Sequence, residues 1–111
     1  MITLTKNAVY VVAKMVEGKN GYGLRLSKIE GCCSVLFNLH LDKKKREDRI
    51  IKSHGSVKVF GDPETLESMR ALNKKSIFKP ATIDYIKTHL GQSFFTNNHR
   101  LGVSIWEHDI E

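Results

Sequence analysis

Cys32 and Cys33 are the two cysteines of this 111-residue chain, and they stand together after Gly31. Thiolates are the strongest soft-metal ligands a protein has, and a glycine bend between two strands would present them together at the end of a rigid sheet. The same side chains also read as a pair of small apolar residues packed in a core. Among the five histidines, His40 falls on the polar face of an alternating run and reads as a surface or edge residue. His54 reads as a solvent-facing turn residue, and His99 lies near the carboxyl terminus. One imidazole alone specifies no chemistry. Covalent cysteine catalysis would need a base beside Cys33, and His40 lies seven positions along the strand, roughly 23 Å away when extended. The sequence has no paired carboxylates, phosphate-cradling glycine loop or His-Glu-x-x-His pattern, so it does not read as an enzyme.

The elements that must position the cysteines come from the hydrophobic pattern. Thr3 or Thr5 can cap a helix running through Val16, with Ala8, Val9, Val12, Met15 and Val16 forming its apolar stripe, and Gly18 to Gly21 form a turn. From Tyr22 the period becomes two: Tyr22, Leu24 and Leu26 share a face, with Arg25 on the other. After a bend at Glu30 and Gly31, Val35, Phe37, Leu39 and Leu41 alternate with Ser34, Leu36, Asn38 and His40 in a longer strand. Arg49 to Lys52 and Ser56 to Phe60 read as a hairpin joined at Ser53, His54 and Gly55. Asp62 followed by Pro63 and Glu64 marks the start of a second helix, which should reach about Leu72 with Leu66 and Met69 facing inward. Lys74 to Pro80 reads as a basic connection. Thr82 to Lys87 fits a strand or one helical turn, Ser93 to Thr96 reads as the last strand, and the residues after Asn97 show no clean period. Two helices among consecutive short strands define an α+β class, with small, largely antiparallel sheets covered by the helices.

Length and charge bound the function. A chain this short makes one domain with one modest core. Its longest apolar run, Ala8 to Ala13, is far below the roughly twenty residues a bilayer span needs, and no signal-peptide pattern opens the sequence. Two adjacent cysteines cannot staple a fold, so the expectation is a cytoplasmic protein with reduced thiols and no membrane partner. The formal net charge of +6 invites nucleic acid. Its distribution argues against that partner: Lys43, Lys44, Lys45 and Arg46 are flanked by Asp42, Glu47 and Asp48, a self-neutralising solvated loop, and no aromatic stacking pattern is interleaved with the other bases.

Seven stretches, in order, resemble the HesB family, the A-type iron-sulfur cluster carriers of the IscA kind. Met1 to Thr5 followed by Ala8 is similar to the family opening, and Gly23 to Leu26 to its strand. Gly31, Cys32, Cys33 and Ser34 resemble the Gly-Cys-Ser bend of the first cluster cysteine. His54 to Val59 resembles the Gly-Val-Lys-Val strand, Asp62 to Leu66 the Asp-Pro-x-Ser-Leu helix start, and Ile83 to Ile86 the Ile-Asp-Tyr-Val segment. Phe95 to Asn97 is similar to the Phe-x-Asn-Pro that precedes the second ligand site. The resemblance covers residues 1–97 as a HesB-like domain and leaves 98–111 as a divergent tail. It implies a β-rich α+β fold, a homodimer or higher homo-oligomer, and iron or a [2Fe-2S] cluster carried to apoprotein acceptors.

The family ligands are one cysteine at the bend, matched by Cys33, and a Cys-x-Cys pair near the carboxyl terminus. Here the tail holds no cysteine, Asn98 stands at the expected proline, and the connection from Lys74 to Pro80 is longer than the usual pattern. A [2Fe-2S] cluster takes four protein ligands, which one chain of this kind lacks. A symmetric dimer supplying Cys32 and Cys33 twice would complete the set, although neighbouring side chains on an extended backbone diverge. His99, with His108 behind it, would otherwise replace tail thiolates, as imidazole does in Rieske-type sites. The alternative is a HesB-fold protein that has lost the cluster and acts as a protein-interaction module.

Overall fold

The structure, a computed structural model, describes residues 2–30, 35–89 and 91–105. Within them the chain order is β1 (Ile2–Leu4), α1 (Lys6–Met15), β2 (Tyr22–Glu30), β3 (Val35–Lys43), β4 (Arg49–His54), β5 (Val57–Gly61), α2 (Pro63–Lys74), β6 (Ala81–Thr88), β7 (Gly91–Thr96) and β8 (Leu101–Ser104). The class is α+β. None of the described helices is long and apolar enough to cross a membrane.

Both helix starts follow from side-chain chemistry. Thr5 accepts a hydrogen bond from the Ala8 amide and Asp62 from that of Thr65, each satisfying an amide that the first helical turn leaves without a partner. Pro63 occupies a position where its missing N–H costs nothing. The Thr5 hydroxyl also donates to Asp84, tying the head of α1 to β6.

The eight strands among the described residues divide into two sheets. β4, β5, β2, β3 and β8 form one, in that order, and β1, β6 and β7 the other. β2 and β3 are a long antiparallel hairpin paired from Tyr22 with Lys43 to Glu30 with Val35. β5 joins β2 in parallel, and β8 joins β3 in parallel. The segment after Asn97, aperiodic in sequence, therefore contains a strand of the main sheet, and Ser93 to Thr96 is part of β7 rather than the last strand. Leu24 and Leu26 of β2, Phe37, Leu39 and Leu41 of β3, Val57 and Val59 of β5 and Leu101 of β8 form one core with Ala8 and Val12 of α1 and Met69 of α2.

Two long-range contacts were hidden in the sequence. Phe78, in the basic connection after α2, is fully buried with its ring edge-on to Phe37 at 5.4 Å and 88°. Asn98 is also buried; its amide group donates to the Lys79 carbonyl at 2.6 Å, and its side-chain oxygen accepts from the Arg100 amide at 2.8 Å. The departure from the expected proline thus closes the turn before β8 and holds the long connection against it.

Asp42 and Asp48, which flank the exposed loop, pair with Arg25 of β2. Arg25 is buried, and its guanidinium grips Asp48 through two hydrogen bonds of 2.7 and 2.6 Å and Asp42 through one of 2.7 Å. It also donates to the Lys43 carbonyl and lies over the Phe60 ring, 5.0 Å from its centroid. Asp48 accepts from the Lys45 amide besides. The two acids turn inward to a residue seventeen or more positions away, leaving the lysines between them outside. An alternating pattern reveals that Arg25 opposes the core face; it does not reveal what fills the other face.

Candidate metal site at the cysteine hairpin

Cys32 and Cys33 lie outside the described residues, as does His108. The residues that flank the bend are described: Glu30 and Val35 are strand partners at the end of the β2–β3 hairpin. One step back, Ile29 and Leu36 face each other across the same hairpin and are 50% and 39% exposed, a cross-strand apolar pair on the surface beside the bend.

His99 belongs to the turn between β7 and β8 and is exposed. That turn is fastened to the first residues of β3. The Phe37 amide donates to the Arg100 carbonyl at 2.7 Å, and the Arg100 guanidinium donates to the Val35 carbonyl at 3.2 Å. Because β8 runs parallel to β3 with Leu101 beside Phe37, the turn that holds His99 stands at the end of the sheet from which residues 31–34 depart. Arg100 brings a cation to the same end.

The other described histidines are elsewhere. His40 pairs with Arg25 in the middle of the hairpin, half-exposed. His54 is not a solvent-facing turn residue: it ends β4, is half-buried, and its Nε2 is buried without a hydrogen-bond partner among the described residues. The turn it precedes is Gly55 and Ser56, where Gly55 takes a φ of 62°. His89 is exposed beyond β6, in the other sheet. Among the described residues no three His, Cys, Asp or Glu side chains converge on one point.

Arg100 was missed as a neighbour of the bend. Only the pairing of β8 with β3 brings it there, and no local pattern signals that pairing.

A three-stranded sheet and a five-stranded mixed sheet, flanked by two helices, make a fold already seen in solved structures. Two solved structures share it. One is Escherichia coli SufA, involved in biosynthesis of iron-sulfur clusters, with 21% identity over 87% of this chain and 79% of that one and a TM-score of 0.60. The other is IscA with the [2Fe-2S] cluster, with 22% identity over 89% of this chain and 83% of that one and a TM-score of 0.53. No family model and no curated protein sequence matches the chain.

Proposed function

We propose that the protein is an iron-sulfur cluster assembly or carrier protein with a reduced ligand set, not an enzyme, working in the cytoplasm where thiols stay reduced. The reading rests on the fold shared with two iron-sulfur proteins, one of them holding a [2Fe-2S] cluster, and on one local observation. That observation is the bonding of the His99 turn to Val35 and Phe37, two and four residues after Cys33.

The donor set bears on stoichiometry. One chain offers two adjacent thiols and the His99 imidazole, whereas a cluster takes four ligands. A homodimer sharing the cluster meets that demand, with Cys33 as the principal ligand from each chain and Cys32 or His99 as the second. Arg100, bonded to the carbonyl of Val35 two residues after Cys33, would favour the thiolate form on which ligation depends. Ile29 and Leu36 would serve as the apolar contact to the second copy or to an apoprotein acceptor.

The same exposed pair favours a second reading, a cluster-free interaction module whose docking face is the hairpin end. Anaerobic reconstitution with iron and sulfide separates the two. A carrier turns brown with visible charge-transfer absorption that disappears in Cys33→Ser; folded protein that stays colourless removes the carrier reading and leaves the module.

A further inference from the structure

At the C-terminal end of α1 a cavity of about 610 Å³ opens between the α1–β2 turn, β5 and the β3–β4 turn. Its size is that of a small-molecule pocket. Lys14, Lys19, Lys44 and Lys58 line it against a single acid, Glu17, and Tyr10 and Tyr22 supply aromatic surface above the buried Phe60. Lys14 already rests its ammonium over the Tyr10 ring, 5.6 Å from the centroid.

Two features make this more than a scatter of surface lysines. The first is charge. Asp48 is buried and committed to Arg25, and Asp42, whose side chain is 40% exposed, bonds the same guanidinium. The second is rigidity. The Lys44 amide donates to the Gly21 carbonyl at 2.7 Å, locking the β3–β4 turn to the α1–β2 turn as two walls of the cavity, while the Lys45 amide is held by Asp48. Lys44 is itself half-buried. The C-terminal end of α1 adds the equivalent of about half a negative charge, which four ammonium groups outweigh.

We propose that this cavity binds a nucleoside phosphate. Several lysines around one concavity suit a multiply charged phosphate chain, for which lysine serves as a point-charge partner. The tyrosine surface suits a flat heterocycle, since any base offers a π face. A pocket of this volume fits a small molecule, whereas a strand would need a groove extended along its backbone. The inference is independent of the cysteine hairpin and stands whether or not a cluster is bound.

The test is a titration of the ¹⁵N-labelled full chain, at low and moderate salt, with ADP, adenosine, pyrophosphate and a short single-stranded oligothymidylate. Expected are saturable ADP shifts of the Gly18, Gly21, Tyr22 and Lys58 amides, weakened by salt, and at least tenfold weaker binding of adenosine and pyrophosphate. Lys14→Glu combined with Lys58→Glu, both at exposed positions, should weaken ADP binding at least tenfold while the spectrum keeps its dispersion. Should that double variant unfold, Lys19→Glu alone carries the same expectation at a severalfold loss. The proposal is overturned if millimolar ADP moves none of these amides at low salt, if pyrophosphate binds as tightly as ADP, or if the oligonucleotide binds tighter than either.

Discussion

Arg25 and Asp48 are twenty-three positions apart and meet end-on, each guanidinium nitrogen of the Nη pair donating to its own carboxylate oxygen at 2.7 and 2.6 Å. This fork fixes the β3–β4 turn to the middle of β2, because Asp48 also holds the Lys45 amide. The arrangement raises the already high basicity of Arg25: the Asp48 hydrogen bonds lead, burial opposes them, and Asp42 adds to them. Bidentate geometry of this kind is specific to arginine.

Breaking one side of the fork should be costly. Asp48→Asn leaves a buried cation short of its partner, and losses of about 3–5 kcal/mol are typical of such lesions. Arg25→Lys should also destabilise, since an ammonium cannot make the paired bonds. Urea denaturation measures both; a midpoint unchanged in Asp48→Asn would mean the fork contributes no stability.

The same contact predicts sensitivity to acid. Asp48 is held below its ordinary value of 3.8, first by the Arg25 hydrogen bonds, which prevail over burial, and then by the Lys45 amide. For Asp42, burial pushes upward, and the Arg25 and Lys43 hydrogen bonds outweigh it. A carboxylate depressed in the folded state stabilises fully above its unfolded pKa and loses that contribution as the pH falls through the folded one. Stability should therefore drop from about pH 4 downward, and Asp48→Asn should flatten that drop. Denaturation midpoints between pH 2 and pH 6 provide the comparison.

Gly23 sits where a Cβ would lie 2.5 Å from the Lys58 carbonyl oxygen and 3.0 Å from the Phe60 ring. Gly23→Ala must push β2 away from β5 and should lower stability by about 1–3 kcal/mol, the range for overpacking. Circular dichroism melts read it directly.

Asn98→Ala removes both the donor to Lys79 and the acceptor for Arg100, two part-buried hydrogen bonds of about 1 kcal/mol each. Phe78→Ala should cost about 3–5 kcal/mol through the cavity left against Phe37. Hydrogen exchange should show β8 losing protection in Asn98→Ala ahead of the rest of the sheet. Uniform loss would mean the turn is not a separate clasp.

His99→Ala should leave the melting temperature within about a degree, since the side chain is exposed. It should weaken cluster loading only if the imidazole is a ligand. Visible absorption after reconstitution, compared with Cys33→Ser, distinguishes a principal ligand from an auxiliary one.

Much of the architecture was legible in local patterns. Thr5 and Asp62 announced the helices because a cap needs only a side chain and an amide a few residues apart. The alternation from Tyr22 to Leu41 announced the hairpin because a strand's two faces repeat every second residue. What escaped was everything decided by residues distant in sequence. Strand β8 carries no period of its own and exists because β3 offers an edge. Phe78 looked like part of a charged connection until Phe37 supplied its partner. Asp42 and Asp48 looked like neighbours of lysines until Arg25 drew them inward. The residue types at positions 32 and 33 were plain from the sequence, and so was the α+β class, because both depend on order along the chain. The company kept by Val35, His99 and Arg100, and the lysine-lined cavity beside α1, were decided only by the folded chain, since strand pairing and side-chain burial are properties of segments brought together from afar.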